Sequence, residues 1–162
     1  MRTKLGCPGT TGTTGRFAEP RSSPAGGTYP MSTVTVEVAI GELADKISIL
    51  QIKASKMTRP DQLQNVKTEL TALTQAWSTH VTSNAALDAL LATLRSVNER
   101  LWNIEDDIRQ HEAAQDFGAT FVALARSVYI ENDHRARLKR EINELTGSRI
   151  QEEKSYASYE RS

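Results

Sequence analysis

The chain has 162 residues, enough for one domain, with 20 Lys+Arg against 20 Asp+Glu, so its overall charge names no partner. Residues 1–30 carry four basic residues and one acid, a net of +3, which leaves the remaining 132 at −3. A mildly acidic core argues against general affinity for nucleic acid or an anionic membrane, and neither is expected as a partner.

Residues 1–30 hold six of the nine glycines and four of the five prolines, and "GTTGTTG" (9–15) has no apolar periodicity. Such a segment cannot bury enough surface to offset its ordering entropy, so a disordered tail is expected over 1–30 and a folded domain over 31–162. The Gly-Lys-Ser/Thr ending of a phosphate loop is missing. No apolar run follows "MRTK" or surrounds Cys7, which counts against a signal peptide and a lipoprotein cysteine. Met31 then reads as the true start, and from there on the chain has no cysteine, which excludes disulfides and thiol catalysis. With no export signal and no transmembrane run, the cytoplasm is the default compartment.

"TVTVEVAI" (33–40) alternates Val34, Val36, Val38 and Ile40 with polar or small residues, a strand pattern. A lone strand leaves its backbone unpaired, so it must pair or pack as an extended arm on the helices. After it, breakers are rare: Gly41, Pro60, Gly118 and Gly147 bracket long stretches of heptad-like, coiled-coil-type spacing. Helix 1 is predicted near 42–57 (Leu43, Ile47, Leu50, Ala54, Met57). Helix 2 is predicted near 61–81 (Leu63, Val66, Leu70, Leu73, Trp77, Val81). Asn84 is placed to cap helix 3, near 85–114 (Leu87, Leu90, Leu94, Val97, Leu101, Ile104, Ile108). Helix 4 is predicted near 119–146 (Phe121, Leu124, Val128, Leu138, Ile142, Leu145), with Gly147 at its left-handed cap. Helices 3 and 4 would each be roughly 40–45 Å long. Short connections imply antiparallel neighbours, so the fold class is all-α, an up-and-down antiparallel four-helix bundle with a short N-terminal strand.

"LWNIEDDIRQ" (101–110) poses the functional question, because it sets polar side chains beside an apolar stripe. At about 100° per residue, Asn98, Trp102, Glu105 and Arg109 line the border of the helix 3 core face. On helix 4, Arg135 falls near the centre of the apolar stripe, flanked by Asn132 and Lys139. A chain that folds back near 116–117 puts Arg135 level with Asn98, and Asn132 within a turn of Glu105. One polar cluster is therefore expected inside the bundle: Asn98, Trp102, Glu105, Asn132 and Arg135, with Arg109 beside it.

Two readings compete. The favoured one is a buried polar layer that fixes register. The other is a pocket with Arg135 for an anion, Glu105 for a hydroxyl or amine and Trp102 as a stacking wall. His80, His111 and His134 lack metal-ligand spacing, so no metal and no cofactor is expected. Glu42-x-x-Asp45 and Glu141-x-x-Glu144 have the acid spacing that holds magnesium in helical nucleotide pyrophosphatases. Asp45, Glu141 and Glu144 fall away from the apolar stripes, however, so solvated charge is the preferred reading. "HRARLKR" (134–140) spreads its charges around the helix instead of along one nucleic-acid-facing stripe.

"GELADKISILQIK", "VNERLWNIEDDIR", "LARSVYIENDHRARLKREIN" and "GSRIQEEKSY" together resemble a family of small helical bacterial proteins, of the domain-of-unknown-function 6165 type. The resemblance covers about 38–156. It maps that family's pattern onto Glu42, Asp45, Lys46, Trp102, Glu105, Asp106, Arg109, Asn132, Asp133 and Arg135. Ala44 and Gln51 stand where the pattern leads one to expect a larger apolar residue and a glutamate. The resemblance names no activity; its association with glycosyltransferases and surface-polysaccharide genes implies a role near them. "LRSVNERLWNIEDDIR" also looks like a helical chorismate-mutase segment, but that chemistry needs several convergent cations and only Arg135 and Lys139 can be placed inside. The expected function is binding or assembly, the alternative a small helical enzyme at the Glu105–Arg135 cluster. The expected partners are a protein or a second copy, met through helix faces or through Val34–Ile40, and a small anionic or sugar-like ligand.

Overall fold

The computed structural model describes residues 34–153 and Ser155, and the sequence-based expectation of a disordered tail over 1–30 lies outside them. By backbone contacts the chain divides into two units, Met1–Thr35 and Val36–Ser162, and all four helices belong to the second.

The helices are α1 (Ile40–Lys56), α2 (Pro60–His80), α3 (Ala85–Ala113) and α4 (Ala119–Thr146). Their ends follow local chemistry. Pro60 opens α2, where its missing N–H costs nothing. Asn84 caps α3, its side chain accepting from the Leu87 amide at 2.9 Å. Gly147 closes α4 with a φ of 65°, a left-handed conformation that suits glycine. The start of α1 has no side-chain cap of its own. Its free amides are instead satisfied from the end of α4: Gly41 N–H donates to Asn143 Oδ1 at 2.6 Å, and Ile40 N–H to Ser148 Oγ at 3.2 Å.

Side-chain pairs give the directions. Lys46 meets Glu69 across the α1–α2 turn, whereas Asp45 meets Asn98 and Lys56 meets Asn103, so α1 and α3 run parallel. Arg100 meets Glu131, and Glu42 meets Lys139, so α4 runs antiparallel to both. The up-and-down bundle is as expected, but its packing is uneven. α1 packs against α2, α3 and α4, and α3 against α4, while the backbone of α2 approaches α1 alone. The core cluster is Ala44, Leu87, Leu94, Val97, Leu101, Leu138 and Ile142, with Trp77 from the last turn of α2 leaning on it.

No strand forms among the described residues. Residues 34–39 carry neither helix nor strand, Val36 and Val38 are exposed, and Ile40 enters α1. Among the described residues the alternating valines make no backbone pair, and the Ala39 carbonyl is taken by the Glu42 and Leu43 amides.

α1 is where periodicity misleads. Of its aliphatic stripe Leu50 is buried, whereas Leu43, Ile47, Ala54 and Met57 are only partly so. Besides Leu50 it buries Gly41, Ala44, Asp45, Ser48 and Ile52, mostly small and polar residues at helical spacing. Gly41 shows why small residues stand there: a Cβ at that position would lie 2.3 Å from the Lys139 carbonyl oxygen. Ala44, small where a larger residue was expected, is part of the core, and Gln51 accepts from Arg95 at 3.1 Å.

Candidate functional site

Arg135 does lie level with Asn98, but the carboxylate that joins them is Asp45. Asp45 is 1% exposed. Its Oδ1 accepts from Arg135 Nε at 2.9 Å and its Oδ2 from Arg135 Nη2 at 2.5 Å, a bidentate pair. Asn98 Nδ2 donates to Asp45 Oδ1 at 2.8 Å and to Ser48 Oγ at 2.6 Å, and Ser48 Oγ donates to the Asp45 carbonyl at 3.0 Å. Asn132 Oδ1 accepts from Arg135 Nη1 at 3.4 Å, holding the guanidinium from the far side. The hydrogen bond to Asp45 raises the Arg135 pKa above its ordinary value, against the opposing effect of burial.

The expectation that Asp45 is solvated is therefore corrected. It rested on α1 having one buried face, whereas α1 is clasped by three helices and has a second. Glu105 is corrected in the opposite sense. It is exposed and pairs with Arg109 one turn on at 2.9 Å, so it does not reach Arg135 or Asn132. Glu42 is also engaged: it and Glu152 hold the buried Lys139 ammonium at 2.5 and 2.6 Å. Burial works to lower the Lys139 pKa, but the hydrogen bonds to Glu152 and Glu42 outweigh it and the net shift is upward. Glu141 and Glu144 are exposed, as the face argument had it. Asn143 and Glu152 were missed. The signal available for both was the spacing of small and polar residues in "GELADKIS", which marks a face packed closely on another helix.

Above the buried layer opens a cleft of about 370 Å³ along the C-terminal half of α1, between α3 and Arg135. Asn98, Arg135, Ile49, Ile52 and Leu101 line it together with Trp102, Lys53, Glu105, Asp106 and Arg109. Of the six residues marked in the sequence, five line this cleft, and Asn132 stands behind Arg135. Among the described residues, the Lys53 ammonium, the Asp106 carboxylate and the Trp102 indole N–H have no hydrogen-bond or ion-pair partner. A second groove of about 300 Å³, lined by Ile47, Thr74, Trp77 and Leu91 among others, separates α2 from α3.

No group of three His, Cys, Asp or Glu among the described residues could hold a metal ion, and none of the described helices is long and apolar enough to cross a membrane. His111 bonds Asp116 at the α3–α4 turn.

Fold and site together define a small all-helical protein pinned by a buried carboxylate–guanidinium pair beneath an open amphipathic cleft. The chain belongs to the family of unknown function DUF6165, which matches residues 34–160 and so takes in all four sequence blocks. No curated protein and no solved structure matches it significantly.

Proposed function

We propose that this is a binding protein whose cleft beside Trp102 takes a small anionic, sugar-like metabolite. One observation carries the reading: the floor is fully paired, whereas Lys53, Trp102 and Asp106 at the mouth keep free hydrogen-bonding capacity. Burying such groups against a ligand that satisfies them supplies specificity. Lys53 would meet the anionic group, the Trp102 ring the apolar face of a sugar ring, and Asp106 a hydroxyl. Arg135 and Glu105, the residues first assigned to anion and hydroxyl, are already engaged by Asp45 and Arg109.

Binding is favoured over catalysis because, among the described residues, the buried carboxylate Asp45 is held by Arg135 and Asn98 and is 1% exposed, out of a ligand's reach. A sugar-like ligand would suit an accessory role in surface-glycan or glycosyltransferase pathways. The test uses Trp77→Phe, which leaves Trp102 as the sole tryptophan, with its emission excited at the red edge of absorption and titrated with a sugar phosphate, a uronic acid and a nucleotide sugar. A saturable change with one of them, abolished by Lys53→Ala at unchanged melting temperature, is expected. No saturable response to any of the three at millimolar concentration would overturn the reading.

A further inference from the structure

The α3–α4 hairpin runs on past the end of α1. The last residue of α1, Lys56, bonds Asn103, and between Leu101 and Leu138 no residue is buried. Ile104 and Ile108 of α3 and Phe121, Leu124 and Val128 of α4 continue the apolar stripes into this part of the hairpin yet remain only partly covered. Two helices alone exclude water from one seam and no more.

"ATFVALARSVYI" (119–130) has one charge in twelve residues and is apolar on every side, a pattern that belongs to a helix covered all round. On its outward face stand Ala119, Val122, Ala123, Arg126, Tyr129 and Ile130, all exposed, with Val122 at 52% and Ile130 at 44%.

We propose that this face of α4 is a self-association surface, on which a second copy of the chain packs antiparallel about a two-fold axis near Arg126. Two features select a second copy over another partner. The face is ordered by size, small at its start and large at its end. An antiparallel two-fold sets Tyr129 over Ala123 and Ile130 over Val122, so each large side chain meets a smaller one. The charges also agree: Glu105, Asp106, Asp107 and Glu112 all lie on α3, so contact through α4 keeps the two acidic flanks apart.

The axis brings two Arg126 guanidinium groups close together. Arg126 Nε lies 3.4 Å from the Tyr129 hydroxyl of its own helix, which directs the group along the surface, but like charges at an axis still weaken the pair. Removing that charge should therefore strengthen association. Sedimentation velocity of the full chain from 1 µM to about 1 mM tests it, 1 mM marking weak affinity on the usual scale. Concentration-dependent dimerisation is expected in wild type, abolished by Ala123→Glu at unchanged helicity and melting temperature, and tightened several-fold by Arg126→Leu. A wild-type monomer over the whole range overturns the proposal, as does a dimer that neither substitution alters.

Discussion

The two ends of α3 and α4 use similar residues and reach different states. Near the termini of the bundle, α1 lies against the pair, and Leu94, Val97 and Ile142 are fully buried. Beyond Asn103 α1 is gone, and leucine and isoleucine of the same heptad pattern are half exposed. The ion pairs divide the same way. Asp45–Arg135 is buried and bidentate, whereas Glu105–Arg109 stands in solvent. Whether a side chain becomes structure therefore depends on a third helix arriving, more than on the residue itself.

Four tests sharpen that contrast. Asp45→Ala should cost about 3–5 kcal/mol in chemical denaturation, because it leaves Arg135 without its charge partner in a mostly buried site. The double change Asp45→Leu, Arg135→Leu should recover much of that loss, while Glu105→Ala should cost less than about 1 kcal/mol. Next, Leu94→Ala should lose about 2–5 kcal/mol and Leu124→Ala about 1, since water already reaches Leu124. Equal losses would break the comparison.

Gly41→Ala comes third, at about 1–3 kcal/mol, because the new Cβ meets the Lys139 carbonyl and forces α1 away from α4. The smallest effect concerns pH. The Lys139 pKa is raised on folding, so its contribution is fully present below the ordinary lysine value of about 10.4 and is lost as pH climbs through the folded value. The difference in melting temperature between wild type and Lys139→Met should hold from pH 7 to 10 and narrow above that. A gap constant through pH 12 would contradict the assignment.

Much of this was legible in the chain. Helix periodicity and the caps placed all four helices within about two residues, because Pro60, Asn84, Gly118 and Gly147 act locally. The level of Arg135 with Asn98 followed from where the chain turns. The partner of Arg135 did not follow, since Asp45 lies on a helix whose contact with α4 is remote in sequence. A heptad reading of α1 also sees one face, whereas a clasped helix buries two. The valines of 34–38 misled for a related reason: alternation states that a segment could pair, but pairing needs an edge, and among the described residues no strand forms.

Hydrogen exchange along α3 and α4 tests the division most directly. At protein concentrations low enough to keep the chain monomeric, amides of 94–101 and 138–142 should exchange only through global unfolding. Those of 106–112 and 120–127 should exchange through smaller, local openings, at least a hundredfold faster on the scale that separates local from global opening. Uniform protection from one end of α3 to the other would show that the hairpin needs no third helix, and would contradict the account.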